Sequence, residues 1–175
     1  LKSDPIDNVQ LLGQIDQAIA AYEQAFELGS AAQDQSIPID SVAQLGLGNS
    51  YRLKGEALQR KGESDSALEL FDRSIEILGN TIPPFEQARQ ARYLTQAYEY
   101  LGTAYEWKAY THSVNQDFSD SLEAYNRSLE FYDKCISQGT ATQDLIIKQD
   151  IVEGICTPSR ENVKEIIDSL GGAQG

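Results

Sequence analysis

The side chains able to do chemistry are few and scattered. His112 is the only histidine, in the run Thr111-His112-Ser113-Val114-Asn115. Acid–base work or metal ligation needs a second group at a defined spacing, and no His, Cys or Ser partner stands at one. His112 therefore reads as a plain exposed side chain. Cys135 and Cys156 lack metal-ligand spacing. They read as small core or surface residues in a reducing compartment, with a disulfide between them as the alternative. Gly46 to Ser50 (GLGNS) lacks the lysine and the preceding strand of a phosphate loop, so it reads as a bend or a close helix contact. Glu63, Asp65, Glu69, Asp72, Asp117, Asp120 and Glu123 fall at helix starts and on outward faces, where helix dipole and solvation account for them. The calcium-loop pattern is absent. The expectation is a protein with no catalytic, cofactor-binding or metal-binding residues.

The elements that position these residues read as helices throughout. Ala, Leu, Ile, Glu, Gln and Tyr dominate, and alternating Val/Thr runs are missing. At 175 residues, with 41% apolar and 23% charged, the chain suits one folded domain or a short solenoid. Net charge is −13, which speaks against nucleic acid and against an acidic membrane surface as partners. No apolar run approaches the ~18 residues of a membrane span. The chain begins at Leu1 and contains no Met; the native start is expected to be missing, with a cytoplasmic location favoured.

Along the chain, Leu1 to Ser3 should be loose, and Asp4-Pro5 should start a helix that ends at Gly29. Its apolar face carries Val9, Leu12, Ile15, Ile19, Tyr22 and Phe26. A polar linker follows to Pro38. Asp40 should cap a helix ending near Gly62, and its partner should run from Ser64 to Gly79. Pro83 and Pro84 should prevent helix continuation. A third unit begins near Phe85 and runs to 138. Thr142 should cap a helix carrying Leu145, Ile146, Ile151, Val152 and Ile155. Thr157-Pro158 should start a last helix ending at Gly171-Gly172, with disorder beyond.

Tyr51, Gly55 and Leu58 lie on one face of the helix after Asp40; Ala67, Phe71 and Ser74 lie on one face of its partner. This order of large, small and large positions resembles the tetratricopeptide repeat. Tyr98, Leu101, Gly102 and Tyr105, then Ser121, Tyr125 and Ser128, repeat it. Ala18, Tyr22 and Ala25 give a partial copy. Ala67 and Ser121 are 54 residues apart, well above the usual period of about 34. Leu58 and Ala67 are 9 apart but Tyr105 and Ser121 are 16, which implies about two extra helical turns over Trp107 to Asn115, as helix or as loop. The resemblance implies an all-α, right-handed solenoid of antiparallel helix pairs with a C-terminal capping helix. Its divisions are a partial repeat or cap at 5–29, a repeat at 40–79, a repeat with insertion at 84–138, and a non-consensus pair or cap at 142–171.

The resemblance further implies a concave groove lined by first helices, which binds a peptide or partner domain without catalysis. By position that groove shows Asn49, Arg52, Leu53, Glu56, Gln59 and Arg60, then Gln96, Glu99, Tyr100, Thr103, Glu106 and Trp107. The cationic clamp of repeats that hold acidic chaperone tails is not expected, because its places hold Asn49, Leu53, Gln96 and Tyr100. Arg52, Arg60, Arg89 and Arg92 raise a second possibility, an acidic or phosphorylated peptide held by bidentate bonds. Tyr93, Tyr98, Tyr100, Tyr105, Trp107 and Tyr110 crowd one helix. Tyr93, Tyr98 and Tyr105 fit the core; Tyr100 and Trp107, seven apart, share the groove face, where aromatic anchors are frequent hot spots. The alternative is a structural or self-associating scaffold segment, with a homodimer covering that face.

Overall fold

The computed structural model describes residues 5–30 and 38–172. The loose N-terminus, the Asp4 cap, most of the linker before Pro38 and the last three residues lie outside the described residues. Six α-helices follow one another: α1 (Pro5–Ser30), α2 (Ile39–Arg60), α3 (Ser64–Gln87), α4 (Ala91–Val114), α5 (Phe118–Ala141) and α6 (Thr157–Gly172). A π-helical stretch, Ile147–Cys156, runs directly into α6. No strand occurs among the described residues. Each helix packs on the next, and α2 also touches α4, as in a short solenoid closed by α6.

The turns explain the spacing. Residues 61–63, 88–90 and 115–117 form the same three-residue connection, set 27 residues apart. In each, a backbone N–H reaches back five residues: Glu63 to the Leu58 carbonyl, Gln90 to Phe85, Asp117 to His112. The middle residue of each turn has positive φ: Gly62 (83°), Arg89 (53°) and Gln116 (68°). This is the left-handed helix stop that satisfies the last carbonyls.

Two turns of 27 make the 54-residue period, and packing confirms the register. Ser74 Oγ donates to the Gly48 carbonyl at 2.7 Å, and Ser128 Oγ donates to the Gly102 carbonyl at 2.8 Å. A Cβ on Gly48 would collide with Leu78, and one on Gly102 with Tyr132. Both pairs therefore cross at a glycine with a serine beside it. Gly55 likewise makes room for the Phe71 ring. The GLGNS stretch is thus close helix packing inside α2, with Gly46 lying under the ring of Tyr22.

Several expected boundaries are corrected. There are no two inserted turns: α2 and α4 have 22 and 24 residues, and Tyr51 to Ala67 spans the same 16 residues as Tyr105 to Ser121. Residues 107–114 are helix, and Tyr105 rather than Tyr98 is the counterpart of Tyr51. α3 does not stop at Gly79; it continues through Pro83 and Pro84 to Gln87. A proline inside a helix costs about 3 kcal/mol. Phe85, fully buried and stacked on Tyr93 at 5.3 Å, contributes burial of the same order. Asp40 lies within the first turn of α2, where its carboxylate accepts from Ser41 N, and Pro38 takes the cap position. The backbone after α5 is capped by Asp144, whose Oδ1 accepts from Ile146 N at 2.9 Å, while Thr142 ends α5. The last helix, α6, begins at Thr157 as expected, but follows the π-helical stretch without a break.

The main core runs from Leu45 and Leu78 through Leu101 and Tyr132 to Val163 of α6. A smaller cluster joins Ile15 and Ile19 of α1 to Leu47 and Tyr51. Of the apolar face expected on α1, Val9 and Tyr22 are exposed. Cys135 and Cys156 are both buried and form a disulfide that ties α5 to the end of the π-helical stretch. This replaces the expectation of two free thiols. A disulfide persists where surroundings are oxidising, so the cysteines no longer argue for a reducing compartment.

Candidate functional site

The expected groove residues form two connected groups. On α2, Glu56 accepts from both Arg52 (3.2 Å) and Arg60, and Arg52 Nε also donates to Asn49 Oδ1 at 2.9 Å. One carboxylate therefore bridges two guanidinium groups at helical spacing. On α4, Thr103 Oγ1 lies 3.3 Å from Glu99 Oε1 and 3.1 Å from Tyr132 Oη. Tyr132 Oη donates to Glu106 Oε2 at 2.7 Å, and Asn162 Nδ2 of α6 donates to Glu106 Oε1 at 3.4 Å. Leu53 is exposed, and Gln96 and Tyr100 are half-buried.

Glu99 is 7% exposed, and its burial pushes the carboxyl up to about 7; Arg52 and the Thr103 hydroxyl oppose that shift. Burial also raises Glu106, against the pull of its bonds from Tyr132 and Asn162. Neither α4 carboxylate has a salt-bridge partner within 4 Å among the described residues.

A cleft of about 560 Å³ opens between α2, α4, α5 and α6. Its walls are Gln59 and Arg60, then Glu106, Trp107 and Tyr110, then Tyr125, Asn162 and Ile166. Trp107 and Tyr110 meet edge to face at 5.7 Å, and the Arg60 guanidinium stands 5.5 Å from the centre of the Trp107 ring. Gln59 is 7% exposed, and its Oε1 has no hydrogen-bond partner among the described residues. Arg60 and Trp107 were expected to share the groove, and the fold brings them together. Arg89 and Arg92 do not join them: Arg89 lies in the turn before α4, and Arg92 is exposed at its start. Fifteen helical residues separate Arg92 from Trp107, about 22 Å. Tyr125, Asn162 and Ile166 were not foreseen as groove residues. Tyr110 was visible in the aromatic crowd; Asn162 carried no local signal, because only the docking of α6 brings it to Glu106.

His112 is not the exposed residue expected. Its side chain is 14% exposed, its Nδ1 lies 3.7 Å from Asp117 Oδ2, and it occupies the position that Leu58 fills in the preceding pair. It borders a second cleft, of about 500 Å³, with Asp72, Lys108, Asp120 and Arg127. No cluster of three metal-ligating groups exists among the described residues.

A family profile described as tetratricopeptide repeat matches residues 10–28, which lie in α1. That match and the consecutive helices packed as repeating pairs support a protein of the tetratricopeptide-repeat type. No curated protein and no solved structure matches it. Tetratricopeptide repeats are generally non-catalytic interaction modules that bind protein partners. No helix among the described residues is long and apolar enough to cross a membrane.

Proposed function

We propose that this tetratricopeptide-repeat-type protein is a non-catalytic interaction module that seats a peptide or partner segment on the groove side of α2, α4 and α6. The whole chain acts as one domain, with α2–α3 and α4–α5 as its full units. The observation that carries this reading is the cleft that brings Trp107, Tyr110 and Gln59 to one place. Large rings beside unsatisfied polar groups are the usual make-up of a binding hot spot. Asn49, Arg52, Leu53, Glu56, Gln96, Glu99, Tyr100 and Thr103 extend that surface away from the cleft.

The test is selection of peptides from a displayed library on the wild-type protein, followed by binding to Trp107→Ala. Selected peptides should lose at least about tenfold in affinity on the variant. Failure to select any peptide, or affinity indifferent to Trp107, would overturn the reading. Light scattering separates the alternative: a dimer whose Trp107 emission is blue and unquenchable means that a second copy fills the groove.

A further inference from the structure

The chemistry of the cleft narrows its occupant. Two of its acceptors, on Gln59 and Glu106, lack a cationic partner. Gln59 is more than nine-tenths buried on the cleft wall, and its Oε1 has no donor among the described residues. Glu106 is held only by the neutral donors Tyr132 and Asn162. The cationic groups nearby, Arg52 and Arg60, pair with Glu56 and not with Glu106. The ring of Trp107 already carries a guanidinium, that of Arg60, and Tyr110 stands edge-on beside it. The faces of aromatic rings attract cations. The chain as a whole carries −13, which steers positive segments toward it.

Resting on the groove reading above, we propose that the cleft seats a lysine or arginine side chain from a basic segment of a partner protein. Glu106 is the counter-charge, Gln59 supplies a second acceptor, and Trp107 and Tyr110 form the aromatic walls. An acidic or phosphorylated peptide fits less well, because in the cleft it would face the Glu106 carboxylate.

Three short peptides test this: one of glycine, serine, lysine and arginine, one with glutamates in place of the cations, and one with glutamines. Trp107 is the only tryptophan, so its emission reports the cleft directly. The basic peptide should shift that emission saturably and bind at least about tenfold tighter than the neutral one. Glu106→Gln keeps an oxygen for Tyr132 and should weaken basic-peptide binding about tenfold. Glu69→Gln, exposed on α3, should change it less than about twofold. Gln59→Leu gives an independent readout: it should raise the melting temperature while weakening the peptide, whereas a structural glutamine would lower the melting temperature. Equal loss on Glu69→Gln and Glu106→Gln would mean diffuse charge attraction and overturn the proposal. Tighter binding of the glutamate peptide at Trp107 would overturn it as well, while leaving the groove reading intact. If no peptide, including those selected from a library, moves Trp107, both fail together.

Discussion

The α2–α3 and α4–α5 pairs are two copies of one scaffold that differ where they face the groove. The crossing contact is the same in both: glycine against serine, with Leu78 in one copy and Tyr132 in the other. The turns are the same, down to the left-handed residue at Gly62 and Gln116. Residues 54 apart on the groove side are unlike. Arg52 becomes Glu106, Leu53 becomes Trp107, Glu56 becomes Tyr110, and the core residue Leu45 becomes the buried carboxyl Glu99. The first copy holds its two arginines on Glu56. The second leaves acceptors and rings facing a cleft. Positions that hold the helices together repeat, and positions on the proposed groove have diverged.

The largest effects should test the shared scaffold. Phe71 is fully buried and Tyr125 nearly so, at equivalent positions. Replacing either by Ala should cost about 3–5 kcal/mol in urea unfolding. Only Tyr125→Ala should also weaken a groove ligand, since Tyr125 lines the cleft. A ligand loss of similar size from both would break the distinction between the copies.

Next comes the Leu45–Glu99 contrast. The folded carboxyl of Glu99 sits near 7, raised from an ordinary 4.5. Its contribution to stability is fully present below about pH 4.5 and is lost as pH rises through 7. Glu99→Leu, which makes the second copy like the first, should therefore add about 2–3 kcal/mol at pH 8 and little at pH 4. Denaturant midpoints across that range check this; a pH-independent gain would contradict it.

Smaller effects sharpen the equivalence. Ser74→Ala and Ser128→Ala should each cost about 1 kcal/mol, through the loss of matching bonds to Gly48 and Gly102. Values that differ several-fold would break the match. Gln116 adopts φ 68°, where glycine carries no side-chain penalty. Gln116→Gly should gain about 0.5–1 kcal/mol in thermal melting, and Gly62→Ala should lose about as much.

Much of this was legible in the residues, and the errors have physical causes. The large–small–large order gave the helix pairs and the 54-residue interval between Ala67 and Ser121. The first-helix register slipped because Tyr98 and Tyr105 are seven apart. Two helical turns of seven residues bring a residue back to nearly the same face. The slip therefore kept Glu99, Tyr100 and Trp107 on the groove side but shifted the comparison by about 10 Å along α4 and created the false insertion. The Pro83-Pro84 break was a local rule overruled by the burial of Phe85. The disulfide and the bond from Asn162 to Glu106 depend on how the C-terminal helix folds back, which no local pattern reports. His112 looked exposed because its residue type hides a position that is structural in the preceding copy.

The most direct test of divergence at the groove is a map of amide chemical shifts. The labelled protein would be titrated with a peptide selected for binding. The shifts should centre on Gln59, Arg60, Glu106, Trp107, Tyr110 and Asn162. Shifts centred instead on the cleft around His112 and Arg127, or spread evenly over both copies, would contradict it.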